Sequence, residues 1–136
     1  MLYGSIPGVA RLRVMDASLD EALGRLDLIY VQHRGRLTGA EYSTEVAFGY
    51  EDGNVYLLAH GIDGRRPDWL ANIVHADEAR FYAGTRLIRG APELLSADWY
   101  ERILPMLRSR YGGDMVRRWY TGAGLIPLRL ADLEVL

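Results

Sequence analysis

Apolar and polar residues alternate most regularly in EYSTEVAFGY (41–50), and a second strand-like run, NVYLLAH (54–60), follows it across Asp52-Gly53-Asn54. Two strand-like runs flanking an Asp-Gly turn predict a β-hairpin. In its first strand Tyr42, Thr44, Val46, Phe48 and Tyr50 share one face, and Ser43, Glu45, Ala47 and Gly49 the other. LDLIYVQHRG (26–35), rich in β-branched and aromatic residues, predicts a strand ended by Gly35. EARFYAG (78–84) and RLIRGAPELLS (86–96) predict a second hairpin, in which Pro92 marks an edge or a bulge. RLRVMD (11–16) predicts a short strand and GLIPLRLADLEV a closing one.

Helical spacing takes over between these segments. ASLDEALGRL (17–26) predicts a short helix capped by Ser18, with Glu21 in capping-box position. PDWLANIVHA predicts another, with Pro67 near its first position and Trp69, Asn72 and Ile73 on one side. ADWYERILPMLRSRYG, capped by Ser96, carries an apolar stripe of Trp99, Ile103, Met106 and Leu107, and Pro105 is expected to kink or divide it. DMVRRWY continues helically.

About six antiparallel strands joined by short helices make an α+β chain built on a small, partly open β-barrel. A parallel sheet would need crossover helices, which the pattern lacks. A length of 136 residues suits a single domain over residues 1–136, large enough to bury roughly two-thirds of its unfolded surface. An open barrel leaves strand edges that dimerisation commonly covers, so a homodimer is expected. No apolar run reaches the roughly 20 residues that span a membrane, and MLYGSIPGVARLRV lacks the build of a signal peptide. A cytoplasmic protein is expected. The net charge of −2 argues against a nucleic-acid partner.

The chain has no cysteine and no lysine; all 16 of its strongly basic residues are arginines. Thiolate and Schiff-base chemistry are excluded, and any phosphate or carboxylate must be held by arginine, backbone N–H or hydroxyls. The histidines, His33, His60 and His75, lack metal-ligand spacing, so no metal site is expected, and no serine-nucleophile motif occurs. Two Gly/Arg loops remain. HRGRLTG (33–39) joins two strands, and HGIDGRR (60–66) leads into a helix N-terminus, where free N–H groups favour an anion. Both also read as ordinary tight turns in a lysine-free chain. If the strands they follow are neighbours, both loops open onto one cleft and an anionic ligand is favoured. Trp69 and Asn72 read equally as core, and nine tyrosines would suit either a planar ligand or a dimer interface.

From about residue 28 to residue 96 the order of these features resembles the deazaflavin-dependent nitroreductase family, flavin-type split β-barrels related to pyridoxamine-phosphate oxidases. That family carries Gly-Arg-Lys-Ser-Gly-x-x-Arg-x-x-Pro after a strand, then an acidic hairpin, a strand ending Ala-Ser, a Gly/Pro/basic loop and Trp-x-x-Asn. Gly35, Arg36, Thr38 and Gly39 fit the first motif, YEDGNVYLLA fits the hairpin, and Trp69 and Asn72 fit the last. Leu37 stands in place of lysine, Tyr42 of arginine, Glu45 of proline and His60 of serine, and residues 1–26 diverge from the family's leader. The resemblance implies a deazaflavin of the F-420 type, or FMN, held near a dimer interface by Arg34, Arg36, Thr38, Gly39, Tyr42, Thr44, Ala59, His60, Gly61, Arg65, Arg66, Trp69 and Asn72. It further implies hydride transfer from the reduced cofactor to a small nitro compound, quinone or activated alkene. No residue is singled out as catalytic. Two other readings stay open: a cofactor-free ligand-binding or structural member of the fold, and a haem-binding relative with His33 or His60 as axial ligand.

Overall fold

The computed structural model describes residues 19–120 and 124–136. Helix α1 is helical over its described residues, 19–25, and buries Leu19 and Leu23 completely. Glu21 there pairs with Arg25 one turn on. The strand expected at 11–16 and the Ser18 cap lie outside the described residues.

Seven antiparallel strands follow, one more than expected: β1 (Ile29–Arg34), β2 (Glu41–Val46), β3 (Gly49–Glu51), β4 (Asn54–His60), β5 (Ala79–Ala83), β6 (Arg86–Leu94) and β7 (Leu125–Val135). Helix α2 (Asp68–Ala76) lies between β4 and β5. A 3-10 turn (Ala97–Trp99), α3 (Tyr100–Tyr111) and α4 (Gly113–Trp119) lie between β6 and β7. The extra strand arises from EYSTEVAFGY, which divides at Ala47-Phe48. Its first half pairs with β1 in register Ile29–Val46, and its second half forms the predicted hairpin with β4 across Asp52-Gly53. Asp52 and Gly53 both adopt positive φ, as an Asp-Gly turn requires.

The sheet order is β2-β1-β5-β6-β7-β4-β3. Consecutive strands β2 and β3 therefore occupy opposite margins, yet only two residues join them, a span of roughly 10 Å at most. The sheet must curl until its margins meet, giving an antiparallel split barrel. Inside lie Ile29, Val31, Phe48, Val55, Leu57, Phe81, Ile88 and Leu128, with Leu70 and Ile73 of α2 closing one end. A second core forms outside, where Tyr56 and Leu58 of β4 meet Ile103, Leu104 and Leu107 of α3 and Val116 of α4. Strand β4 is thus buried on both faces, which is why NVYLLA reads as a continuous apolar run.

Three expectations are corrected. Pro92 lies near a register shift between Arg89 and Ala91, as a bulge would have it, but β6 is an internal strand and not an edge. Helix α3 runs unbroken through Pro105, because Ile103, Leu104 and Leu107 are buried on both sides of it. Ser96 precedes the 3-10 turn, but its hydroxyl goes to the Asp98 carboxylate and caps no backbone amide.

Candidate functional site

The loop after β1 closes on itself. The Gly35 amide donates to the Ala40 carbonyl at 2.7 Å, the Gly39 amide donates to the Gly35 carbonyl at 2.8 Å, and Gly39 sits at φ 74°. The Ala40 amide donates to Thr38 Oγ1 at 3.2 Å. Gly35 has no room for a side chain, since a Cβ there would lie 2.7 Å from Thr38 Oγ1 and 3.1 Å from the Tyr42 ring. Against this loop stands α2, whose Asn72 is the buried polar residue of the core at 4% exposure. Asn72 Oδ1 accepts from the Arg36 amide at 3.2 Å and from the Arg36 guanidinium at 2.7 Å, and Asp68 lies 3.5 Å from the same guanidinium. His33, Gly35, Arg36, Leu37, Thr38, Tyr42, Asp68 and Asn72 enclose a cleft of about 250 Å³.

Next to it is a larger and more apolar cleft, of about 430 Å³. Its floor is the seam where Val46 and Ala47 leave β2, together with Leu57–His60 of β4; Ile62, Pro67, Trp69, Trp119 and Tyr120 form its walls. Helix α2 separates the two spaces, with Asp68 and Asn72 facing the first and Trp69 the second. Tyr120 stacks on His60 at 5.2 Å with nearly parallel rings. Burial pushes the Tyr120 phenol up to about 12, so it stays protonated at neutral pH.

The residues singled out from the sequence divide between these spaces. Arg36, Thr38, Tyr42 and Asn72 line the smaller cleft, and Thr44, Ala59, His60 and Trp69 the larger. Gly39 shapes the loop. Arg34 turns the other way, to the Gly39 carbonyl at 3.3 Å and Glu41 at 3.9 Å. The loop Gly61–Arg66 reaches the larger cleft through Ile62. Gly61 packs against Gly124, whose carbonyl accepts its amide at 2.9 Å. Arg65 and Arg66 are exposed. Strands β1 and β4, which the two loops follow, are not neighbours in the sheet, so the condition for one shared cleft is not met, and the loops front adjoining clefts. Trp119, Tyr120 and the central place of His33 had no sequence signal, because the crossing at Ala47-Phe48 that creates the larger cleft is hidden in unbroken alternation.

The haem reading loses its first ligand. His33 spends one ring nitrogen on Asn72 and the other on Thr44, both at 2.9 Å. Among the described residues no group of three or more His, Asp or Glu side chains is placed to hold a metal ion.

The sequence profile of the F420H(2)-dependent quinone reductase family matches residues 8–132. The chain belongs to this family. No curated protein matches it. Among solved structures, an F420-H2 dependent reductase superposes with a TM-score of 0.56 at 11% identity, covering 76% of this chain and 93% of that one. HutZ, the heme storage protein of Vibrio cholerae, gives 0.63 at 9% identity, covering 88% and 92%. A protein assigned as a pyridoxamine 5′-phosphate oxidase from Listeria innocua gives 0.55 at 7% identity, covering 90% and 98%. At such identities these neighbours establish the split-barrel fold alone. Membership in the F420H(2)-dependent quinone reductase family makes the chain a cofactor-dependent reductase with a deazaflavin as its cofactor, in line with the resemblance carried by Gly35, Arg36, Trp69 and Asn72.

Proposed function

We propose that the chain reduces a small planar acceptor, a quinone foremost, with a deazaflavin held across the two adjoining clefts. The observation that carries this reading is an aromatic cleft whose flanking loop, Gly61–Arg66, carries two exposed arginines. A space of about 430 Å³ walled by Trp69, Trp119 and Tyr120 has the size and character of sites that take planar ligands. Beside it, Arg65 and Arg66 are exposed, and the Gly35–Gly39 loop is closed by the Gly35–Ala40 and Gly39–Gly35 backbone bonds. These residues fit a ligand with a flat ring system and an anionic tail.

When bound, a reduced deazaflavin supplies the hydride, and the acceptor takes that hydride and one proton. The remaining work falls to side chains of this chain. The tryptophans exclude water and fix the plane of whatever lies between them. Arg65 and Arg66 hold the anionic tail, with charge-assisted contacts worth about 1.5–3 kcal/mol each. Arg36 contributes less directly, because Asn72 and Asp68 already engage it. Tyr120 Oη holds a proton at neutral pH and, with Thr44 and His60, is one of the groups lining the cleft that can donate a hydrogen bond to an acceptor oxygen. Tyr30 and Tyr82, opposite each other on β1 and β5 and both exposed, support a homodimer.

Titration of the purified protein with coenzyme F-420, and separately with FMN, followed by fluorescence at low and high salt, tests the reading. Binding of F-420 at micromolar concentration or tighter, weakened by salt and weakened about tenfold or more in the Arg65→Ala/Arg66→Ala variant, is expected. The melting temperature of that variant should stay close to wild type, since both side chains are exposed. Failure of the wild-type protein to bind either compound would leave the fold with its chemistry lost. The exposed Leu37, in place of the family's lysine, is the feature that would then matter.

A further inference from the structure

The two clefts are connected by a chain of polar side chains whose hydrogens can be assigned. Asn72 Oδ1 accepts from both the amide and the guanidinium of Arg36. Neither donor can act as an acceptor, so the Asn72 amide cannot be reversed, and Nδ2 is the group that faces His33 Nδ1 at 2.9 Å. Nδ2 carries only donors, which makes His33 Nδ1 an acceptor and leaves the proton of the neutral ring on Nε2. Nε2 therefore donates to Thr44 Oγ1 at 2.9 Å. Once Oγ1 accepts from His33, the hydroxyl's own hydrogen must point elsewhere. Thr44 lies on the wall of the larger cleft, and among the described residues His33 is its hydrogen-bond partner. Tyr42, stacked on His33 with centroids 5.6 Å apart, holds the imidazole plane in place.

We propose that Asn72 and His33 form a relay that fixes the Thr44 hydroxyl as a donor into the aromatic cleft, where it selects a ligand presenting a carbonyl oxygen. Thr44 touches the ligand; His33 and Asn72 are positioning residues. The inference rests on the reading of this cleft as the ring site. Burial keeps the imidazole neutral by lowering its proton affinity, which the relay requires.

Two measurements separate this relay from the ring-site assignment. The first needs no cofactor: long-range ¹H–¹⁵N correlation of the full chain at neutral pH should show His33 protonated at Nε2 alone. Asn72→Asp, whose carboxylate only accepts, should place a proton on Nδ1. A wild-type ring protonated at Nδ1, or on both nitrogens, would overturn the relay. The second is a fluorescence titration with coenzyme F-420. Thr44→Val should weaken binding about tenfold, the loss of one hydrogen bond, and Thr44→Ser should restore it to within about threefold. His33→Phe, which keeps a ring to stack on Tyr42, should weaken binding in the wild-type background but not in Thr44→Val. Equal affinity of wild type and Thr44→Val, or an identical His33→Phe effect in both backgrounds, would overturn the proposal. A wild-type protein that binds no F-420 yet shows the Nε2–H ring would remove the ring-site reading and the Thr44 donor role, leaving the tautomer as a structural fact.

Discussion

His33 has neighbours that dictate which of its ring nitrogens carries the proton. It sits at the inner end of the Gly/Arg loop, between Asn72 and Thr44, and burial lowers its pKa from 6.5, with the Asp68 carboxylate opposing in part. The unfolded chain therefore takes up a proton at this position more readily than the folded one. Stability is then independent of this group above pH 6.5 and falls as the pH drops below it. Urea midpoints measured from pH 7.5 down to 5 should decline, and His33→Phe should remove part of that decline. A wild-type midpoint that is flat across this range would show that the imidazole is not held neutral. The loop glycines, the Asp-Gly turn and Trp69–Asn72 were all readable from the sequence, since each is a local spacing. The His33 relay was not: its partners stand 11 and 39 positions away, and only the pairing of β1 with β2 and the seating of α2 bring them together.

Among the elements, α3 holds the barrel seam. Arg110 donates to the carbonyls of Leu23 at 2.9 Å and Leu26 at 2.6 Å, at the end of α1, and its guanidinium lies 4.2 Å over the Phe48 ring. The next residue, Tyr111, accepts from the Phe48 amide at 3.0 Å and gives its single proton to the Asp27 carbonyl at 2.6 Å. Two consecutive side chains thus bind α1, the start of β1 and the crossing between β2 and β3. Tyr111→Phe removes both bonds and leaves the Phe48 amide without a partner, so a loss of about 1–3 kcal/mol is expected in urea denaturation. A loss below about 0.5 kcal/mol would mean that the seam is held by packing alone. The apolar stripe of α3 was readable from its spacing. The tether was not, because an Arg-Tyr pair at a helix end reads equally well as solvated surface.

At the scale of the molecule, the antiparallel meander was readable but the order of its strands was not. GLIPLRLADLEV reads as a strand wherever it is placed; its position between β6 and β4 follows from the curl that joins β2 to β3 across the seam. That position makes the last strand central. It pairs with β4 from Val55–Leu130 to His60–Leu125 and with β6 along most of its length. A chain ending before Leu125 should lose its cooperative thermal transition, and folding of the intact chain should take milliseconds to seconds, as sheets with distant pairings do. A truncated chain that still melted cooperatively would show the sheet to be stable without its middle.

The placement of β7 also governs how the protein is made. On a ribosome the apolar face of β4, with Val55, Leu57 and Ala59, emerges well ahead of the strand that will cover its flank. At roughly 5–20 residues per second, that interval lasts several seconds. Throughout it β4 has β3 along one edge and nothing along the other, so an apolar strand keeps an open edge until translation reaches β7.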